Sequence, residues 1–217
     1  MFARIPKTWS VPSPERLNQL THGCGFALSV CGAWLLISTA ISTGGATRIW
    51  GCGAFAVTLV LLYAASTLSH SFDDPQRRRF FRMVDQVCIF LLAAGSFTPF
   101  ALVWAQNWIG RSVLWSMWSI ALVGSAYRAL RGENSVAIGC FVLMGWLPGL
   151  TLGQIYAAAG PWGLFLVLGG AGAYTGGTWF LLRDHRQPYY HSLWHLSTIL
   201  GSACHVLFCW QYIALPT

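Results

Sequence analysis

Residues 49–71 read IWGCGAFAVTLVLLYAASTLSHS, a run without one Asp, Glu, Lys or Arg. At a helical rise of about 1.5 Å per residue it is long enough to cross about 30 Å of hydrocarbon, which marks it as a membrane span. Working outward, six further apolar runs stand at about 17–42, 83–105, 110–130, 135–158, 161–182 and 191–213. The whole chain agrees. Of its 217 residues 55% are hydrophobic and only 9% are charged, against roughly 25% charged in an ordinary soluble domain. The connections are short and leave no room for a second folded domain. The expected fold is all-α: an integral membrane bundle of seven transmembrane helices, with residues 1–16 as a cytoplasmic N-terminal segment and 17–214 as a single domain. The first apolar run exceeds the about 7–15 residues of a signal-peptide core, so it is expected to stay as a span.

A net charge of +7 raises nucleic acid as a partner, but the basic residues are not interleaved with aromatics on a soluble face. They occupy alternate connections instead. Arg4, Lys7 and Arg16 precede the first run; Arg77, Arg78, Arg79 and Arg82 follow the second; Arg128 and Arg131 follow the fourth; Arg183 and Arg186 follow the sixth. The opposite side receives only Arg48 and Arg111. By the positive-inside rule the N-terminus is cytoplasmic and, after seven crossings, the C-terminus lies outside. The expected partners are membrane lipids, with no nucleic acid. Seven cysteines without a C-x-x-C spacing read as small packing residues.

Histidines interrupt this apolar background. His191 and His195 are four residues apart at the start of the last run, and His70 closes Ser66-x-x-x-His70 at the end of the second. Ionisable groups at membrane depth are costly unless something uses them. A metal ion is the economical user, because neutral imidazole is a good zinc ligand and an i, i+4 pair presents both rings on one helix face. With the orientation above, His70, Ser66, His191 and His195 fall in the cytoplasmic leaflet. Asp85, expected in the first turn or so of the third helix after a basic loop, joins them there. His205 lies about 15 Å further along the axis than His195 and is expected to make an interhelical hydrogen bond. His185 sits in a basic loop and is expected to be solvated. His22 enters from the same side as the cluster, either as a fourth ligand or as a packing neighbour.

These residues together resemble a known family. Glu15-x-x-Asn18-x-x-Thr21-His22-Gly23 before the first span, Ser66-x-x-x-His70, Asp85, the stretch Ala94-Gly95-Ser96-Phe97-Thr98-Pro99-Phe100, and His191-x-x-x-His195 with Gly201 and His205 look like the haemolysin III proteins. That family is kin to the adiponectin and progestin receptors and, more distantly, to alkaline ceramidases. The resemblance covers essentially the whole chain and implies a multi-pass protein of the bacterial inner membrane. It also implies an intramembrane zinc held by His70, His191 and His195, with Asp85 and Ser66 beside it. Where such proteins usually have Asp-His at the start of the third helix, Gln86 follows Asp85 here. Adjacent helical residues point about 100° apart, so the change is expected to spare the ligands.

Three protein ligands and an open position are the pattern of catalytic zinc, which activates water near neutral pH and polarises a carbonyl. Asp85 is then the candidate proton acceptor and donor, and Ser66 the candidate donor to a developing oxyanion. The expected reaction is amide or ester hydrolysis on a lipid, of the ceramide type. The competing class is a non-catalytic protein, receptor-like, lipid-homeostatic or pore-forming, in which zinc staples helices. A conduit should place ionisable groups at successive depths, and the outer halves of these helices offer only His205. For packing, Gly169, Ala173 and Gly177 are expected to make one small face of the sixth span and Gly172 and Gly176 another. Pro99 and Pro148 are expected to bend their helices.

Overall fold

The computed structural model describes residues 13–131 and 138–215, and among them every regular element is helical. In chain order these are α1 (Pro14–Thr43), α2 (Ala46–Ser69), α3 (Pro75–Val103), α4 (Trp108–Arg131), α5 (Ile138–Trp146), α6 (Leu152–Leu181) and α7 (Tyr190–Cys209). A 3₁₀ segment, Leu147–Thr151, joins α5 to α6. Asp184–Arg186 forms another before α7, and Trp210–Ala214 extends α7 as a π-turn.

Capping chemistry sets the helix starts that matter for the site. Ser13 accepts a hydrogen bond from the backbone N–H of Arg16 at 3.3 Å, with Pro14 at the first helical position. Residues 14–16, expected in an N-terminal segment, therefore already belong to α1; residues 1–12 lie outside the described residues. Asp74 likewise caps α3, accepting from the Arg77 N–H at 2.8 Å ahead of Pro75. The basic loop expected before the third span is thus the first two turns of α3, and Asp85 stands about three turns into the helix rather than in its first. Gly44 and Gly45, with φ of 82° and 93°, supply the left-handed backbone that turns α1 into α2.

Among the described residues five helical stretches, rather than seven, are long and apolar enough to cross a membrane: α1, α2, α3, Ile138–Leu181 and Tyr190–Ala214. Two physical features account for the difference. α4 has 24 residues but carries Arg111, Arg128 and Arg131, and Arg128 is fully buried. Ile138–Leu181 is 44 residues long, about twice what one crossing needs, and is broken inside. Its Leu147–Thr151 segment opens at Pro148, as expected for that proline, and Gly160 adopts φ 62° and ψ −165° just before Pro161. A residue before proline is disfavoured in the α region, and glycine has an alternative at positive φ. Pro99, by contrast, is buried inside a continuous α3.

Close helix contacts set the registers. A Cβ on Gly51 would stand 2.7 Å from Pro99 Cα, and one on Gly95 would stand 2.2 Å from Thr58 Oγ1. These antiparallel pairings of α2 and α3, continued toward the far end of α2, bring Ser66 opposite Asp85. On α6 the close approaches to the last helix fall at Gly163, Gly170 and Gly177, against Phe208, His205 and Trp194 respectively, while Gly169, Gly172 and Gly176 have nothing within 4 Å. The expected small faces are corrected to a stripe of period seven, two helical turns. Leu36, Phe55, Leu59, Tyr63, Phe90, Phe97, Met117 and Phe208 fill the core. Trp34, Trp50, Trp108 and Trp115 stay 72–76% exposed, as side chains facing lipid do. All seven cysteines are free; Cys52, Cys88 and Cys209 are buried in the core, whereas Cys24, Cys31 and Cys140 face outward.

Candidate metal centre

Four elements deliver side chains to one end of the bundle. His70 is the residue that caps α2, 8% exposed, and His195, 1% exposed, lies in the second turn of α7. His191 lies one turn earlier on the same face of α7. One potential ligand atom from each of the three lies within 4.8 Å of the others. The ring centroids of His70 stand 5.2 Å from His191 and 5.1 Å from His195, and those of His191 and His195 are 4.6 Å apart. Donor nitrogens around a tetrahedral zinc stand roughly 3.3 Å apart, which small ring rotations would reach from here.

The opposite nitrogens show which atoms face inward. His191 Nδ1 lies 3.2 Å from the Asp184 carboxylate, and His70 Nδ1 lies 3.4 Å from Glu15 Oε1. His195 Nδ1 lies 3.1 Å from Thr21 Oγ1, whose own hydroxyl donates to the backbone carbonyls of Leu17 and Asn18 at 2.9 and 3.0 Å. Carboxylates accept only, and the Thr21 proton is already engaged, so His191 Nδ1 donates to Asp184 and His195 Nδ1 to Thr21, while His70 Nδ1 faces Glu15 Oε1 without a hydrogen bond. That leaves the Nε2 lone pairs of His191 and His195 for the shared space. Neutral imidazoles held in one tautomer by outer partners are what a histidine-ligated metal requires. The arrangement fits a metal ion.

Asp85 and Ser66 form the adjoining pair. Ser66, 1% exposed, donates to Asp85 Oδ2 at 3.1 Å and lies one helical turn before His70. Arg82, the ion-pair partner that Asp85 would take at an ordinary interface, instead stands 3.9 Å from Glu15. Neither Asp85 nor Ser66 belongs to the close group of three imidazoles.

The remaining histidines separate by environment. His22, 4% exposed, stacks on His195 with centroids 3.5 Å apart, and its Nε2 is 3.4 Å from Thr198 Oγ1. It packs against a ligand candidate rather than joining the group. His205 reaches the Val167 carbonyl at 3.4 Å, the interhelical contact expected of it, and His185 is exposed. Three contributors escaped the sequence: Glu15, Thr21 and Asp184. The first two belonged to a motif without an assigned role. For Glu15 the available signal was its spacing with Asn18, which accepts from Ser192 Oγ at 2.5 Å, and with His22, since positions 15, 18 and 22 follow one helix stripe.

A family model described as "Haemolysin-III related" matches residues 12–206. The chain belongs to the haemolysin III family. Hemolysin-3 of Bacillus cereus is 32% identical over 219 residues, covering 100% of this chain and 99% of the relative. Hemolysin-3 homolog of Bacillus subtilis (strain 168) is 32% identical over 197 residues, 90% of this chain and 92% of its own. A more distant relative is the human monocyte to macrophage differentiation factor, 25% identical over 203 residues, 90% and 83% of the two chains. No solved structure matches. Family and helices together make this a multi-pass membrane protein. In this haemolysin III protein Gln86 turns away from the imidazoles and accepts a hydrogen bond from the buried Arg128 of α4. The substitution therefore serves the α3–α4 contact.

Proposed function

We propose that this haemolysin III family protein is a zinc-dependent membrane hydrolase that cleaves a lipid amide or ester, ceramide-like in type, at the cytoplasmic leaflet. The reading takes His70, His191 and His195 as ligands of Zn²⁺, Asp85 and Ser66 as the catalytic pair, and seven crossings with the N-terminus cytoplasmic and the C-terminus outside a bacterial inner membrane. The single observation that carries it is the convergence of three imidazoles from α2 and α7 beside a serine–aspartate pair from α2 and α3. A zinc with three histidines and one open position activates water near neutral pH and polarises an adjacent carbonyl.

The chain's own groups supply the rest. Asp85 takes the proton of the attacking water and returns it to the leaving nitrogen or oxygen. Ser66, whose hydroxyl now donates to Asp85, turns about its Cα–Cβ bond to donate to the oxygen of the cleaved carbonyl as charge develops there. An apolar cavity of about 140 Å³ runs between α3, α5, α6 and α7, lined by Leu62, Ile89, Phe97, Trp194 and Phe208 among others. Leu62 and Ile89 lie one helical turn from Ser66 and Asp85, which supports an acyl chain as the part of the substrate held beside the pair.

The test is release of fatty acid from lipid amides and esters by the zinc-loaded protein in vesicles. Release that is lost in Asp85→Ala with zinc retained supports hydrolysis. A zinc-loaded parent that releases no acid from either lipid class refutes it, and leaves a metal-stapled membrane protein without turnover.

A further inference from the structure

Glu15 is the second residue of α1, and its side chain ends at the metal centre. Its Oε1 and His70 Nδ1 are both buried, and neither has a conventional hydrogen-bond partner among the described residues. They face each other at 3.4 Å. Buried polar atoms rarely remain unpaired, and a small rotation of the His70 ring toward a shared metal closes this gap to a hydrogen bond. The carboxylate is itself held on its far side: Arg78 Nη1 lies 3.6 Å and Arg82 Nη2 3.9 Å from the same oxygen. These arginines are one helical turn apart on α3, where the Asp74 cap starts the helix early enough to carry them. The Asn18–Ser192 and Thr21–His195 hydrogen bonds fix α1 against α7 close by, so Glu15 cannot drift from its ring.

We propose that Glu15, braced by Arg78 and Arg82, is a positioning residue of the metal centre that holds the His70 Nδ1–H and so aims Nε2 at the ion. The inference rests on the reading of His70, His191 and His195 as zinc ligands. Outer partners of this kind typically alter metal affinity by about 10–100-fold when removed. The alternative is that Glu15 merely ties α1 to α3 through the two arginines.

The two roles diverge in conservative variants. Glutamine keeps a neutral acceptor for the His70 N–H but breaks both ion pairs; alanine removes everything. Zinc affinity of the purified full chain in detergent, measured by competition with a chelator, reads the difference. The expected order is parent tightest, Glu15→Gln weakened less than about tenfold, and Glu15→Ala weakened by about 10–100-fold. Equal losses in the two variants, or a Glu15→Ala affinity within about twofold of the parent, overturn the positioning role while leaving the three-histidine site intact. A parent that takes up no zinc overturns the ligand reading itself. Should Glu15→Ala fail to fold, Glu15→Met, which keeps the bulk of the side chain but offers no acceptor oxygen, takes its place: a loss of about 10-fold or more that Glu15→Gln does not share supports the hydrogen bond to His70, and equal affinities in the two variants overturn it.

Discussion

Replacing Gly95 by alanine should uncouple the proposed hydrolysis from the proposed metal binding. The added Cβ would lie 2.2 Å from Thr58 Oγ1 and 3.0 Å from Thr58 Cβ and Cγ2. Thr58 is buried, and its hydroxyl is bonded to the Ala54 carbonyl at 2.9 Å, so it cannot swing clear. α2 and α3 must part by roughly 1 Å to restore ordinary van der Waals spacing. Overpacking of this kind costs about 1–3 kcal/mol, or about 2–12 °C of melting temperature for a chain of this size. The same movement draws Asp85 away from Ser66, now 3.1 Å apart. None of the three candidate ligands is on α3, so zinc per chain should not change while lipid hydrolysis falls by about tenfold or more, the effect expected when a general base is misplaced. Thr58→Ala deletes the two atoms other than Cβ and should restore most of the loss in the double variant. Thermal melting in detergent, metal analysis and acid release measure the three quantities. An unchanged melting temperature, the same cost with alanine at position 58, or zinc lost in step with activity would each refute the reasoning.

Metal analysis of the purified parent should find about one zinc per chain, with a large loss in His70→Ala and in His195→Ala; full retention in both sinks the site. Asp85→Ala should keep that zinc and abolish turnover, which acid release from lipid amides reads directly. Gly160→Ala puts a side chain at φ 62° in otherwise open space, so only backbone strain is added. The melting temperature should fall by an amount equivalent to about 1–3 kcal/mol with no change in zinc. Gln86→Leu removes an acceptor from the buried Arg128 and should destabilise the protein by about 1–3 kcal/mol, measured by the same melts.

Much of the site was legible in the one-dimensional pattern because its parts are local. Ser66 and His70 are one turn apart on α2, and His191 and His195 one turn apart on α7, so helical periodicity alone pairs them. That three separate segments should bring these residues to one end of the bundle was expected from the charge bias of the connections. Errors arose where a boundary depends on capping rather than on hydropathy. Asp74 and Pro75 start α3 two turns before its apolar run, which converts an expected loop into helix and moves Asp85 inward. Hydropathy counted seven runs, whereas an arginine-bearing α4 and a broken Ile138–Leu181 stretch leave five stretches that satisfy length and apolarity together. The glycine face of α6 was misplaced for a related reason: several small residues share that helix, and only the partner decides which of them it touches.

The amino-acid order by itself determined that the chain belongs in a membrane, that it is helical throughout, and which histidines share a helix face. Each of these depends on spacing along one segment, which periodicity and transfer free energy control. Only the tertiary structure decided that Glu15, Thr21 and Asp184 stand against the outer nitrogens of three rings, that His22 stacks on His195, and that Arg82 approaches Glu15. Most of those pairings join residues far apart in the chain, up to 174 positions, and they depend on how one helix is rotated and registered on another, which no pattern within a single segment encodes.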